Sequence, residues 1–112
     1  MKRRVLKFSL SLVLLALSFA STSGAADNSP SVAITIDNFS FTPQEVRVKA
    51  GTTIVWTNRD DIPHTVVSSD DSSFKSKALD TDDKFTTVLT KPGTYAYYCS
   101  IHPKMTGKIV AE

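Results

Sequence analysis

From Ser31 onward, apolar side chains recur at every second position in short runs, and this period of two confines the chain to β-structure. Val32, Ile34 and Ile36 alternate with Ala33, Thr35 and Asp37; Val46 and Val48 alternate with Arg47 and Lys49; Phe85, Thr87 and Leu89 alternate with Thr86 and Val88. Each run reads as a half-buried strand, one face on a core and the other in water. Residues 52–57, 65–68, 94–99 and 108–111 add further strands, with Lys49-Ala50-Gly51-Thr52 and Lys91-Pro92-Gly93 supplying the turn chemistry between them. No window of adequate length beyond residue 26 has a helical period of 3.6. About seven short strands, with turns roughly every 8–12 residues, predict an antiparallel β-sandwich or barrel. Residues 68–83, rich in Asp, Ser and Lys, read as a surface loop or a short edge strand.

The first 26 residues have a different character. Lys2, Arg3, Arg4 and Lys7 precede a run of 13 residues, 8–20, that carries no charge, and small residues fill positions 21–26. A basic start, an apolar middle and a small-residue exit make a secretory signal peptide, with cleavage expected after Ala26 and residues 27–112 left as one domain. The apolar run is shorter than the ~20 residues that a bilayer requires, so no stable membrane anchor is expected. The Arg3-Arg4 pair lacks the rest of a twin-arginine pattern, and ordinary export to the periplasm is the reading. Without residues 1–26 the chain keeps 9 basic and 11 acidic side chains, net −2. That balance argues against nucleic acid as a partner, since phosphate binding needs an excess of Lys and Arg.

Small exported domains commonly supplement a modest core with disulfides or a metal. Here Cys99 is the only cysteine, so the chain has no internal disulfide. In Cys99-Ser100-Ile101-His102-Pro103-Lys104-Met105 a thiol, an imidazole and a thioether stand three residues apart. Taken singly, each has a plainer reading: a buried small hydrophobe, a surface histidine, a core methionine. Taken together, the chain has two His, one Cys and one Met beyond the initiator, and three of these four fall within seven residues. That concentration favours metal ligation. A thiolate with imidazoles and a weak thioether suits copper in electron-transfer sites, whereas zinc sites favour four strong ligands. The second imidazole such a site needs has one source, His64, behind Pro63 at the start of the run at 65–68.

These residues resemble those of the cupredoxins, and within them the amicyanins and plastocyanins. The resemblance runs through Phe41-Thr42-Pro43 with Val46, then Gly51-Thr52-Thr53-Ile54-Val55-Trp56-Thr57-Asn58, then Pro63-His64-Thr65-Val66. It continues through Gly93-Thr94-Tyr95-Ala96-Tyr97-Tyr98-Cys99 to His102, Met105 and Gly107. The CxxHxxM spacing is similar to that of amicyanin in particular. The resemblance implies a Greek-key β-sandwich of seven to eight strands and one copper ion, with His64, Cys99 and His102 as equatorial ligands and Met105 as the axial one. It implies single-electron transfer between Cu(I) and Cu(II) without catalysis. It further implies a monomer on which a redox donor and acceptor, cytochrome c-like or a dehydrogenase, dock transiently near His102. A copper carrier or buffer would use the same ligands. An enzyme is disfavoured because four side-chain donors leave no open position for substrate.

Some positions depart from the family pattern. Asn commonly follows the first ligand histidine, where Thr65 stands here, and its hydroxyl is expected to reach Ser100. Ile101 and Lys104 occupy the places of a Pro and a Phe in the amicyanin loop, and Tyr98 is more like plastocyanin. Strand alternation sets Tyr95, Tyr97 and Cys99 on one face, which turns the thiol toward an aromatic interior with Trp56 and Phe41. Asp70, Asp71, Asp80, Asp82 and Asp83 read as a solvated acidic face.

Overall fold

The computed structural model of the chain describes Arg3 and residues 30–112. Apart from Arg3, the expected signal peptide lies outside the described residues. Eight strands follow in order: β1 Ser31–Asp37, β2 Ser40–Thr42, β3 Glu45–Val48, β4 Thr53–Asn58, β5 Val67–Ser68, β6 Lys84–Val88, β7 Gly93–Tyr98 and β8 Thr106–Ala111. They form two four-stranded sheets, ordered β2-β1-β4-β6 and β3-β8-β7-β5, which close face to face as an all-β sandwich. Among the described residues no helix is long and apolar enough to cross a membrane.

The period of two sorts side chains as the sequence implies. Ile34 and Ile36 of β1, Val46 and Val48 of β3, and Ile54 and Trp56 of β4 are buried while their neighbours are more exposed. Trp56 lies between the sheets, meeting Phe85, Phe74 and the edge of Tyr97 at ring separations of 5.4–5.6 Å. Phe41 packs edge-on against Tyr97.

Three features differ from expectation. The sandwich is not wholly antiparallel: β1 pairs with β4 in parallel, and so does β3 with β8. Alternation fixes which face is buried but not strand direction; direction follows from the crossing of the chain to the other sheet at β3 before it returns as β4. The run at 65–68 shrinks to the two residues of β5, because Val66 bonds to Ser76 and His64 forms an isolated bridge to Leu79. The polar segment at 68–83 is therefore more than a surface loop, and it sends Phe74 and Leu79 into the core. Finally, β2 was not expected, since three residues are too few to display a period. It is reached through a two-residue turn at Asn38 and Phe39, both left-handed with φ of 50° and 56°.

Candidate metal centre

Cys99 directly follows β7, and the alternation of that strand turns its thiol inward to complete burial. The loop beyond is drawn into two consecutive tight turns. The His102 N–H donates to the Cys99 carbonyl at 3.2 Å and the Met105 N–H to the His102 carbonyl at 2.9 Å. The Cys99 N–H then closes the loop on the Met105 carbonyl at 3.0 Å. The three-residue spacing of thiol, imidazole and thioether is thus one turn per donor, and Met105 is buried at its end. His64 reaches the same place from the other sheet's side of the chain. Paired backbone hydrogen bonds with Leu79, at 2.7 and 3.1 Å, hold it, and its ring is wholly buried.

The Cys99 sulfur lies 3.7 Å from Nδ1 of His64 and 3.8 Å from Nδ1 of His102. The donor atoms of the three residues all fall within 4.8 Å of one another. Metal–nitrogen and metal–sulfur bonds of about 2.0–2.3 Å at trigonal angles separate their donors by roughly 3.8 Å, so the observed triangle fits one ion. The four sequence-derived candidates therefore converge: three as this triangle, and Met105 through the closed loop.

The sulfur is also held by its neighbours. The Thr65 N–H donates to it at 3.3 Å, and the Thr65 hydroxyl lies 3.7 Å away. That hydroxyl accepts the Ser100 N–H at 2.7 Å and shares a hydrogen bond of the same length with the Ser100 hydroxyl. The expected reach of Thr65 to Ser100 is thus present. Burial alone would raise the Cys99 thiol, but the Thr65 N–H and the two facing imidazoles outweigh it and bring it down to about 6. A thiolate, the form that binds metal, is accessible near neutrality.

Three residues of the centre escaped the sequence. Asp60 sets its Oδ2 2.6 Å from Nε2 of His64, on the side of the ring away from the sulfur. The same carboxylate accepts the N–H groups of Asn38 at 2.7 Å and Phe39 at 3.0 Å. Burial works to raise the Asp60 carboxyl, but these two N–H groups and His64 prevail and lower it to about 2. Asn58, fully buried at the end of β4, accepts the Asp60 N–H and donates to the carbonyls of Ile62 and Leu79. Phe39, 52% exposed, presents its ring in T-shaped contact to His64 at 5.6 Å and to His102 at 5.1 Å. A carboxylate four residues before a candidate ligand was the only available sign of Asp60; nothing marked Phe39.

The acidic residues singled out earlier serve local structure. Asp70 accepts hydrogen bonds from the hydroxyls of Ser68 and Ser73 and from the N–H groups of Ser72 and Ser73. Asp83 accepts the Asp80 N–H, Asp82 pairs with Arg59, and Asp71 meets the Tyr98 hydroxyl at 3.5 Å.

The family model described as a cupredoxin-like domain matches residues 9–111. Amicyanin-alpha from Methylorubrum extorquens is 31% identical, the match covering 97% of this chain and 99% of that protein. Amicyanin from Paracoccus denitrificans is 32% identical over 72% of this chain, which spans 65% of that relative's length. The crystal structure of amicyanin from Paracoccus versutus superposes with a TM-score of 0.68 at 29% identity, covering 79% of this chain and 86% of that one.

Proposed function

This chain belongs to the cupredoxin-like family, and on that premise we propose that it is a type 1 copper protein carrying single electrons between redox partners. One observation carries the reading: a fully buried thiol with two imidazole Nδ1 atoms turned toward it at 3.7 and 3.8 Å. His64, Cys99, His102 and Met105 would hold the metal. Copper bound there would supply a site that accepts and returns one electron.

The protein's part is to keep the donors in one arrangement for both oxidation states. The closed turns of residues 99–105, the Leu79 pairing of His64 and the Thr65 N–H on the sulfur all resist movement, which favours rapid transfer. Burial of Cys99 and Met105 keeps water from the donors. His102 is half-buried within the apolar surface formed by Phe39, Ile101 and Pro103, and partners would meet the protein there. A cytochrome c-like protein or a dehydrogenase fits as donor or acceptor. Copper carriage with the same ligands is the weaker reading, because the sulfur is closed to a receiving protein. Catalysis is weaker still, because four donors leave no position for substrate. Residues 1–26 would direct export to the periplasm and be removed, leaving 27–112 as a monomeric domain.

The optical spectrum of the copper-loaded protein tests the proposal. An intense blue band from thiolate-to-Cu(II) charge transfer is expected, and a colourless Cu(II) complex would overturn it.

A further inference from the structure

We propose that Asp60 is a positioning residue of the metal centre. Its carboxylate fixes His64 as the tautomer that offers Nδ1 to the metal, and its negative charge, one imidazole away, favours the oxidised state.

A neutral imidazole carries one N–H, and its place decides which nitrogen has a free lone pair. Nε2 of His64 lies 2.6 Å from a carboxylate that cannot donate when ionised, so the proton resides on Nε2 and Nδ1 is left to face the sulfur. Such a hydrogen bond also makes the ligating nitrogen more basic.

The carboxylate itself has little freedom. Asp60 is only 9% exposed, and its two oxygens accept the N–H groups of Asn38 and Phe39 besides His64. Its own N–H is held by Asn58, whose amide reaches the carbonyl of Leu79, the residue that also pairs with the His64 backbone. The ring of hydrogen bonds closes on itself. Among the described residues no Lys or Arg pairs with Asp60, so its charge is not cancelled locally. Asp37, which shares the Asn38 N–H at 2.9 Å, adds to the negative side.

Phe39 gives a second, independent sign of this role. A left-handed backbone is uncommon for a bulky residue and persists where neighbours enforce it. At φ 56° its N–H is captured by Asp60, and its ring stands edge-on to both imidazoles. One carboxylate therefore sets the tautomer of the first imidazole and the aromatic cover of both.

The inference rests on the copper reading above, and the experiment separates the two. Asp60→Asn keeps the shape and removes the charge. The copper-loaded variant is expected to stay blue, with its reduced-to-oxidised ratio at a fixed electrode potential raised roughly tenfold, a positive shift of about 59 mV for a one-electron couple. A blue variant with an unchanged or lower potential would overturn the role of Asp60 and leave the copper site standing. A colourless unmutated Cu(II) protein would overturn the copper site itself. Should Asp60→Asn fail to fold, long-range proton–nitrogen NMR on the unmutated, metal-free protein decides, because no copper then claims Nδ1. A His64 proton on Nε2, in slow exchange, is expected, and a neutral His64 with its proton on Nδ1 refutes the proposal while leaving the copper site standing.

Discussion

The backbone N–H of Thr65 points at the sulfur of Cys99, 3.3 Å away, and the Thr65 hydroxyl turns past it to take the Ser100 N–H at 2.7 Å. A single residue thus ties the segment that carries His64 to the loop that carries the other three donors. Where the family commonly places Asn, a shorter side chain makes the same bridge with a hydroxyl.

Replacing Cys99 by Ser is expected to abolish the blue band of the copper-loaded protein while the far-ultraviolet circular dichroism of the sandwich persists. Oxygen fills nearly the space of the sulfur, and the Thr65 N–H keeps an acceptor. A variant that remained blue would show that the chromophore is not this thiolate.

Copper should also stabilise the fold. An ion bound by the native state alone adds RT ln(1 + [L]/Kd), about 4 kcal/mol at a thousandfold excess over Kd. For a domain of this size each kcal/mol moves the melting midpoint by about 4–8 °C. Thermal unfolding of apo and copper-loaded protein measures the difference, and coincident midpoints would contradict it.

Asp70 is expected to mark the acid limb of stability. The Ser68 and Ser73 hydroxyls, then the N–H groups of Ser72 and Ser73, hold its carboxyl well below the usual carboxylate range. A depressed folded value stabilises the protein above the unfolded value of 3.8, and the benefit fades as pH falls from there toward the folded value. Asp70→Ala should therefore melt below the parent protein at neutral pH, and the gap should narrow on acidification to about pH 2.5. A gap of constant size would show that the carboxylate charge contributes nothing.

Ile101 is 48% exposed beside His102, on the surface where two copies would exchange electrons. Ile101→Lys places a charge next to Lys104 and is expected to slow electron self-exchange several-fold, with the reduction potential nearly unchanged. NMR line broadening in mixed Cu(I) and Cu(II) samples measures the rate. An unaltered rate would mean that electrons leave by another face.

The candidate donors were readable because their geometry is local: Cys99, His102 and Met105 stand one turn apart, and His64 was the only remaining imidazole. The half-buried strands were readable for a similar reason, since two-residue alternation shows within a single element. Asp60 was not readable beside Asp61. The two are chemically identical in sequence, and only the Asn58 amide and the turn at 38–39 bring one of them inward. Phe74 and Leu79 were hidden in a polar segment whose burial depends on irregular pairing with residues 64–68. Strand direction was hidden as well, because it is a property of the crossovers and not of any strand.

The parallel pairing of β3 with β8 has a consequence in time. Val46 lies opposite Ile109, so β3 has no partner on that side until the chain more than sixty residues later is in place. β8 is interior to its sheet, between β3 and β7, and it begins directly after Met105. Contacts this distant in sequence make β-sandwiches slow to fold, in milliseconds to seconds. The donor loop therefore acquires its shape only when the second sheet closes around β8. Until then the Cys99 thiol and the two imidazoles are not held together, and metal capture is expected to be one of the last events of folding.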